Sequence, residues 1–442
     1  MRADGVERDQ PAQGLDHGCD VHVGDSRLHD RPRYRKRAPA AGAPRAVQRA
    51  TVSARRSGAI AREPSVKPVR CDWIVVGAGI AGAALAYRLA PHGRVVILER
   101  EAQPGYHATG RSAALFLESY GPPQARALTR GSRGFLMQPP PGFAGAPLLS
   151  PRGALAIGTA DQRALLDRHY DSVKALGAAA QRLDARQVRD CVPVLREGVV
   201  DGGVLEPDAM DIDVNALLQG YLRGVRGHRG TIECSVEARA IERDGADWVV
   251  HGDRSSWRAP VLADAAGAWA DAIAQMAGVA PIGLQPKRRT AFLFRPPETL
   301  DVRRLPSFIA VDESFYVKPD AGMLLGSPAN ADPVAPHDVV AEELDVAIGI
   351  DRIEAFTTLQ IRRPTHVWAG LRSFVADGGL VGGFDPQAPG FFWVTGQGGY
   401  GIQTSAAMGE ACAALVRGRP LPQRLVDLGL SEAALGPARL RR

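Results

Sequence analysis

The chain has 442 residues, 45% of them hydrophobic, and carries 54 Lys and Arg against 48 Asp and Glu, a formal net charge of +6. This length suffices for one large domain or two interlocked domains with a sizeable core. Residues 1–70 contain 13 Arg and 2 Lys against 8 acidic residues, so the other 372 residues carry a net charge of −1. A body without excess positive charge disfavours a globular nucleic-acid-binding domain, and we expect no nucleic-acid partner.

The cysteines indicate neither a disulfide framework nor a metal site. The five lie far apart without a C-x-x-C pair, at Cys19, Cys71, Cys191, Cys234 and Cys412. The sequence has no run of 18 or more apolar residues, and its N-terminal region lacks the apolar stretch of a secretory signal. We therefore expect a cytoplasmic protein with no transmembrane segment and no metal.

Residues 1–69 show no apolar period of 2 or 3.6, and 31–62 are a mixture of Arg, Ala, Pro and Ser. Such a segment cannot bury enough surface to offset the entropy of ordering it. Three interpretations stay open: a basic disordered tail, an extension that arises from a misassigned start site, and a targeting or tethering arm. Acidic residues in the segment weaken the last, because transit peptides are poor in acids.

A strand, a glycine turn, a helix and a second strand follow the tail. The apolar run 73–76 leads into residues 77–82 (GAGIAG), a helix is predicted over 80–90, and a second apolar run covers 95–98. A G-x-G-x-x-G motif in this setting is typical of dinucleotide sites, because its glycines allow a tight turn, a close pyrophosphate and close helix packing. Glu99 ends the second strand, where its carboxylate can bind both ribose hydroxyls, which disfavours NADP. NAD and FAD both stay open.

The later segments predict further helices and a largely antiparallel part. Helices are predicted over 161–189 and 208–227, strands over 231–250 around a turn at 244–245, and strand-like alternation over 286–330. Strands near 366–372 and 391–395 precede a last helix over 402–416.

Two more small-residue turns, at 264–269 and 396–401, follow predicted strands. The second turn precedes the last helix, whose N-terminus would stabilise an anionic reduced flavin. An ordinary turn before a helix explains the same spacing equally well.

From residue 71 to the C-terminus the chain resembles a known family. The stretches that carry the resemblance are 95–107, 109–114, 284–289, 312–316, 370–374 and 398–404. They are similar to the D-amino-acid oxidase superfamily of FAD-dependent amine oxidoreductases, and within it to the D-arginine dehydrogenases. The resemblance implies a non-covalent FAD. The residues it assigns to this cofactor are Gly77, Gly79, Ala81, Gly82, Glu99, Arg100, Thr109, Gly110, Arg111, Ser112, Ala113, Ala238, Gly267, Gly398, Tyr400, Gly401, Ile402 and Gln403.

The expected fold class is α/β, with a Rossmann-like FAD-binding domain and an inserted substrate domain built on a mainly antiparallel sheet. We assign residues 70–150, 225–285 and 370–435 to the FAD-binding domain. Residues 151–224 and 286–369 form the substrate domain.

The resemblance implies oxidation of a D-amino acid to its imino acid, which water hydrolyses to a 2-oxo acid and ammonia. A hydride that leaves the α-carbon for flavin N5 needs alignment above all, so the protein must clamp the substrate. Arg372 is the candidate clamp, because a guanidinium binds a carboxylate through two parallel hydrogen bonds. Tyr316, Tyr120 and Arg289 would border the site, and the Gly399 carbonyl would accept from the amine. From the residues alone, Arg289 is equally compatible with a solvated strand face. Tyr120 and Tyr316 are equally compatible with positions in the core.

The side-chain end of the pocket departs from the D-arginine dehydrogenases. The residues assigned to it are Ala154, Leu115, Leu117, Ser307 and Ile309. Ala154 stands where that family has a Glu that holds the distal cation, and Leu115 where it has a His. Loss of one partner of a desolvated ion pair costs about 3–5 kcal/mol, so we expect a neutral or hydrophobic substrate side chain. Glu118 would restore a cation partner only if its side chain turned inward.

Two other functions stay open. A related enzyme would oxidise a secondary amine, as glycine and sarcosine oxidases do, or a 2-hydroxy acid, because Arg372 would read only the carboxylate. A flavoprotein that modifies RNA would use the tail as a basic arm, and the nearly neutral body argues against it. The electron acceptor is either oxygen or a quinone-type carrier, and a quinone would bring a loose association with the membrane.

Overall fold

The computed structural model describes residues 67–441. The interpretations offered for the N-terminal tail lie outside these residues, apart from its last three positions. The strands are, in chain order, β1 (Val69–Arg70), β2 (Trp73–Val76), β3 (Val95–Leu98), β4 (Leu115–Phe116), β5 (Leu149–Pro151), β6 (Ala154–Gly158), β7 (Gln181–Asp184), β8 (Gly202–Glu206), β9 (Met210–Ile212), β10 (Thr231–Glu233), β11 (Ala240–Asp244), β12 (Asp247–His251), β13 (Ser256–Ala259), β14 (Val261–Asp264), β15 (Gln285–Phe294), β16 (Ser307–Ala310), β17 (Tyr316–Asp320), β18 (Met323–Ser327), β19 (Asp332–Pro333), β20 (His366–Phe374), β21 (Val381–Phe384) and β22 (Phe391–Thr395). The α-helices are α1 (Ile80–Leu89), α2 (Pro123–Met137), α3 (Arg163–Ala175), α4 (Ala185–Cys191), α5 (Val214–Gly227), α6 (Ala270–Met276), α7 (Glu343–Phe356), α8 (Gly401–Val416), α9 (Gln423–Val426) and α10 (Glu432–Leu435).

A six-stranded sheet carries the glycine motif. Its strand order is β10-β3-β2-β14-β22-β21, and all neighbours are parallel except the edge strand β21. The central strands β2 and β3 are continuous apolar runs, as expected for a sheet that is covered on both faces. Helices α1, α2, α5 and α8 pack on one face, and a four-stranded sheet of order β1-β13-β12-β11 covers the other face together with α6.

A second, nine-stranded sheet lies beside the first. Its order is β19-β15-β18-β17-β16-β6-β8-β7, with β20 also paired to β15. Every pairing in it is antiparallel except that of β16 with β6. Helices α4 and α7 cover one face through an apolar cluster that includes Leu155, Phe308 and Val317. A three-stranded antiparallel sheet, β4-β9-β5, completes the fold, which is the predicted α/β class.

Two helix predictions were too long. The segment 161–189 contains α3, strand β7 and α4. Helix α3 ends because Gly177 adopts a left-handed backbone (φ +72°). The Asp184 side chain then caps the new helix α4 by accepting from the Gln187 N–H. The segment 208–227 begins as strand β9. Helix α5 starts after Asp213, whose carboxylate accepts from the Ala216 N–H at 2.8 Å. Side-chain caps of this kind fix helix starts that apolar spacing alone does not show.

The predicted domain boundaries stay a prediction, and two contacts bear on them. The boundary at 224 falls inside α5, whose Tyr221 and Leu222 pack with α1 in the core of the first sheet. The boundary at 370 falls inside β20, which pairs with β15 from Gln285 to Leu293. No helix among residues 67–441 has both the length and the apolarity needed to cross a membrane.

Candidate active site

One cavity of about 500 Å³ runs from the glycine motif to the floor of the nine-stranded sheet. It begins beyond the carboxyl ends of β2, β3 and β14, where open parallel sheets bind ligands. It ends among side chains of β6, β16, β17 and β20. The cavity therefore joins the predicted dinucleotide site to the predicted substrate site.

The first and third glycines of the motif are required by packing. Gly77 has φ +103°, and a Cβ atom there would lie 2.5 Å from the Ala265 carbonyl oxygen. A Cβ on Gly82 would lie 2.0 Å from the Gly77 oxygen. Gly79, between them, faces the cavity at the start of α1, which has no side-chain cap. A helix N-terminus with free N–H groups is suited to bind a pyrophosphate.

Glu99 and Arg100 lie where the sequence predicts the nucleoside end of the cofactor. The buried Glu99 carboxylate accepts from the N–H groups of Ala78 at 2.8 Å and Glu101 at 2.9 Å, which hold it at the cavity wall. The Arg100 guanidinium pairs with Glu101 and stacks on the Trp269 ring at 4.5 Å. Trp269 was not predicted, although the turn that contains it was.

The loop from Thr109 to Ala113 closes over the helix start. The Thr109 hydroxyl accepts from the Ile80 N–H at 3.0 Å. The Arg111 guanidinium donates to the carbonyls of Val339 at 2.8 Å and Ala369 at 3.1 Å. Since these bonds occupy the Arg111 side chain, it holds the loop against the rest of the fold.

Three of the predicted cofactor residues do not line the cavity. Gly82 is packed against Gly77 behind the motif. A Cβ on Gly110 would lie 2.6 Å from the Gly105 oxygen, so Gly110 is needed for the turn of the loop. The Tyr400 ring instead packs on Tyr120, with 5.1 Å between ring centroids. Burial and then the neighbouring Tyr120 raise the pKa of Tyr400 to about 12.

The remaining predicted cofactor residues all border the cavity. Gln403 is the most informative of them, because it is 3% exposed and its Oε1 accepts from the Leu117 N–H at 3.0 Å. Its Nε2 has no partner among residues 67–441. A buried amide N–H without an acceptor is costly. The part of the cavity beside Gln403 therefore fits a ligand that offers a hydrogen-bond acceptor.

The residues predicted to clamp the substrate come together at the end of the cavity opposite the glycine motif. Arg372, Tyr120, Tyr316, Arg289 and Gly399 all line the cavity. Burial by itself disfavours the charged form of Arg372, but the Tyr120 and Tyr316 hydroxyls stabilise it, and the pKa of Arg372 is raised. Burial and the like charge of Arg372 lower the pKa of Arg289, whose Nε donates to the Asn330 carbonyl at 2.5 Å. The two guanidiniums are partly buried, and within residues 67–441 neither forms a salt bridge.

Gly399 lies against the Arg372 guanidinium. A Cβ there would be 2.7 Å from both Cζ and Nη2 of Arg372. Gly399 does not have the left-handed backbone of its neighbour Gly398 (φ +52°), so an added Cβ would act on the Arg372 guanidinium and not through backbone strain.

We expect Gly399→Ala to displace the guanidinium and raise KM for a carboxylate substrate about tenfold, the usual scale of one overpacked contact. FAD content should not change. Gly227→Ala, where a Cβ would meet nothing within 4 Å, is the matched control. Steady-state kinetics with both variants check this, and an unchanged KM in Gly399→Ala would show that the guanidinium does not hold the substrate.

The side-chain end of the cavity is lined as predicted by Ala154, Leu115, Leu117, Ser307 and Ile309. Glu118 does not turn inward, because its carboxylate pairs with Arg133 at 3.0 Å. Two charged residues were missed: Lys318, which is buried, and Glu313, which is exposed at the rim and has φ +58°. Glu313 lies within the motif 312–316 and Lys318 two residues after it. The alternation of Tyr316 and Lys318 on one strand was the available signal for Lys318.

The fold and the cavity define a protein of the dinucleotide-binding class, with a second sheet that closes the cavity. The sequence profile of the family described as "DAO: FAD dependent oxidoreductase" matches residues 72–415, and the chain belongs to this family. The protein is thus an FAD-dependent oxidoreductase, which confirms the predicted superfamily, fold class and cofactor. The open choice between NAD and FAD is thereby closed.

Curated relatives and solved structures agree with this family. The chain is 24% identical over 402 residues to FAD-dependent oxidoreductase domain-containing protein 1 of Bos taurus, across 79% of this chain and 82% of that protein. It is 31% identical over 293 residues to the tRNA 5-methylaminomethyl-2-thiouridine biosynthesis bifunctional protein MnmC of Burkholderia vietnamiensis, across 62% of this chain and 42% of that protein. Glycine oxidase from Geobacillus kaustophilus superposes with a TM-score of 0.71 at 22% identity, covering 79% and 95% of the two chains.

Proposed function

We propose that the protein oxidises a D-amino acid to its imino acid, which water hydrolyses to a 2-oxo acid and ammonia. One observation carries the proposal: Arg372 presents a guanidinium to the cavity without an acidic partner among residues 67–441. A desolvated cation of this kind needs an anion, and the α-carboxylate of an amino acid supplies one.

The residues around Arg372 fit the remaining groups of such a substrate. Two parallel bonds from the guanidinium would fix the carboxylate plane, and the Tyr316 hydroxyl would donate to the same carboxylate. The Gly399 carbonyl would accept from the amine, and Tyr120 and Arg289 would close the site. FAD, when bound, supplies the hydride acceptor. Alignment of the α-carbon is then the work of this chain's own side chains.

Non-covalent binding of FAD is part of the proposal. The glycine cradle at α1, the fixed Glu99 carboxylate and the unpartnered Gln403 amide support it. We also propose kinship with the D-arginine dehydrogenases, with a side-chain preference shifted away from arginine because Ala154 replaces their carboxylate. A cytoplasmic location and an electron acceptor that is either oxygen or a quinone-type carrier belong to the same proposal.

A second candidate is oxidation of glycine or of a small secondary amine such as sarcosine, and the structural similarity to glycine oxidase favours glycine. Arg372 would bind the carboxylate of such a substrate equally well. The similarity to MnmC keeps an RNA-linked flavoprotein in view, although residues 71–442 carry a net charge of −1 and offer little attraction to a polyanion.

Anaerobic mixing of the holoenzyme with D-amino acids tests the proposal. We expect several of them to bleach the visible band of the flavin, while their L-enantiomers leave it unchanged. The panel includes sarcosine, N-methyl amino acids and 2-hydroxy acids. Bleaching by one of these classes and by no D-amino acid would overturn the proposal in favour of the second candidate or of a hydroxy-acid oxidoreductase.

A further inference from the structure

Tyr120 belongs to the residues predicted to clamp the substrate, but it lies in a loop. We call residues 117–122, between β4 and α2, the tyrosine loop. Arg372 and Tyr316, which line the same end of the cavity, lie on β20 and β17 of the nine-stranded sheet. The Tyr120 hydroxyl can therefore stabilise the Arg372 charge only if the loop is held in place against this sheet.

Two contacts hold the start of the tyrosine loop to helices. The Leu117 N–H donates to Oε1 of Gln403 on α8 at 3.0 Å. The Glu118 carboxylate pairs with Arg133 on α2 at 3.0 Å. Both helices pack on the six-stranded sheet, so these contacts place the loop relative to the part of the fold that carries the glycine motif.

A third contact ties the tyrosine loop to the nine-stranded sheet. The Ser119 hydroxyl donates to Oε1 of Glu206 at 2.9 Å, and Glu206 lies on β8 of that sheet. Nε2 of His169 lies 3.5 Å from the same oxygen. Ser119 is 8% exposed and Glu206 is 5% exposed, so little water competes for the bond. The bond connects the sheet that carries Arg372 to the residue directly before Tyr120.

The loop is closed and tightly packed, so the position of Ser119 is passed on to Tyr120. The Tyr120 N–H donates to the Leu117 carbonyl at 3.2 Å, which closes a turn around Ser119. The Tyr120 ring packs on Tyr400 with 5.1 Å between ring centroids. A Cβ on the next residue, Gly121 (φ +95°), would lie 2.7 Å from Cε1 of Tyr400. Because close-packed groups transmit displacements, a shift of Ser119 moves the Tyr120 hydroxyl.

Neither Ser119 nor Glu206 lines the cavity, so the Glu206 carboxylate acts through the loop and not on the substrate. We propose that Glu206 is a positioning residue: through Ser119 it holds the tyrosine loop so that the Tyr120 hydroxyl faces the Arg372 guanidinium. This inference rests on the proposed function, in which that guanidinium binds the substrate carboxylate. The loop needs the accepting oxygen of Glu206 and not its charge.

Ser119→Ala in the holoenzyme tests the inference. We expect KM for the D-amino acid that reduces the flavin fastest to rise about fivefold, the scale of one weakened hydrogen bond. The change in kcat should be smaller, and FAD content should not change. Thr357→Val is the matched control, because it removes a buried hydroxyl that donates to the Ile353 carbonyl at 2.7 Å at the end of α7. An unchanged KM in Ser119→Ala, or an equal rise in both variants, would overturn the inference.

A double-mutant cycle with Tyr120→Phe separates positioning from a general loss of stability. If Ser119 acts through the Tyr120 hydroxyl, removal of that hydroxyl leaves Ser119 nothing to position. We therefore expect Ser119→Ala to change KM by less than about twofold in the Tyr120→Phe background. The same fold-change of KM in both backgrounds would contradict the assignment.

Two substitutions of Glu206 distinguish the accepting oxygen from the rest of the side chain. Glu206→Gln keeps an oxygen that can accept from Ser119, so KM should stay within about twofold of that of the unmodified enzyme. Glu206→Leu removes the acceptor and should reproduce the higher KM of Ser119→Ala. A high KM in Glu206→Gln, or a KM in Glu206→Leu like that of the unmodified enzyme, would show that the bond does not place the loop.

Binding of acetate separates this inference from the proposed function. Acetate titrated into the oxidised holoenzyme, and followed by the visible spectrum of the flavin, reports on the carboxylate site without turnover. We expect the Kd for acetate to rise about fivefold in Ser119→Ala, as KM does, and to stay unchanged in Thr357→Val. An unchanged Kd in Ser119→Ala would overturn the role of Glu206 alone. Failure of every amino acid to reduce the flavin would instead overturn the proposed function.

Discussion

Arg372→Met should abolish flavin reduction by amino acids and leave FAD bound. Removing one partner of a buried, hydrogen-bonded charge pair costs about 2–5 kcal/mol, or roughly 30- to 5,000-fold in kcat/KM. Met has nearly the length of the Arg stem, so the cavity keeps its shape while the carboxylate loses its anchor. The loss should appear in KM and kcat together, because a substrate without an anchor is also misaligned for hydride transfer.

Arg372→Lys is the matched control for this substitution. It retains the positive charge but loses the two parallel donors, so we expect activity between the unmodified enzyme and the Met variant. Flavin content, measured after release from the protein, separates the two roles of the residue. A Met variant that loses its flavin would show that Arg372 supports the cofactor or the fold rather than the substrate.

The position of Arg372 explains why sequence patterns could locate the clamp. Arg372 lies on β20, beside the glycine loop 398–401, and both segments carry motifs that are visible in the sequence alone. The glycine motif, its flanking strands and Glu99 are equally local signals, because the turn, the helix and the strand end lie within 23 consecutive residues. Local chemistry of this kind can be read directly from a sequence.

The carboxylate of Glu206, a buried residue that pairs with Ala154 across β6 and β8, could not have been found in the same way. It approaches Ala154 only through the register of β6 with β8, and the two positions are 52 residues apart in the chain. The interruption of the helix predicted over 161–189 places β7 beside β8 and His169 beside Glu206. Pairing between distant strands is decided by tertiary packing, so apolar spacing gave no indication of this carboxylate.

The assignment of α5 to one of the two sheets is hard to predict from the sequence for a related reason. Helix α5 has an apolar face that any neighbouring sheet could bury, and its pattern does not identify which one. Only the three-dimensional packing of Tyr221 against Tyr87, with ring centroids 5.4 Å apart, shows that α5 belongs with α1. The same helix also supplies Gly224, where a Cβ would lie 2.3 Å from the Tyr87 ring. Small residues at such a crossing are interpretable only after the partner helix is known.

Gly82→Ala should cost the protein its cofactor. The added Cβ would lie 2.0 Å from the Gly77 carbonyl oxygen and 3.2 Å from the Ala265 side chain. Since the first of these contacts is backbone, the clash cannot be relieved by a rotamer change, and α1 must move away from β2. We expect destabilisation of about 3 kcal/mol, the upper end for overpacked cores, and a loss of FAD because the helix start no longer meets the pyrophosphate.

Gly134→Ala is the control that separates the clash with the Gly77 turn from the general effect of replacing a helical glycine. Gly134 also lies in a helix, α2, but a Cβ there would meet nothing within 4 Å. Replacement of a helical glycine by alanine without a clash stabilises by about 0.5–1 kcal/mol. The thermal unfolding temperature should therefore fall in Gly82→Ala and rise slightly in Gly134→Ala. The flavin content should fall in Gly82→Ala alone. Equal losses in both variants would mean that helix flexibility, and not the approach of α1 to the Gly77 turn, is what the glycine provides.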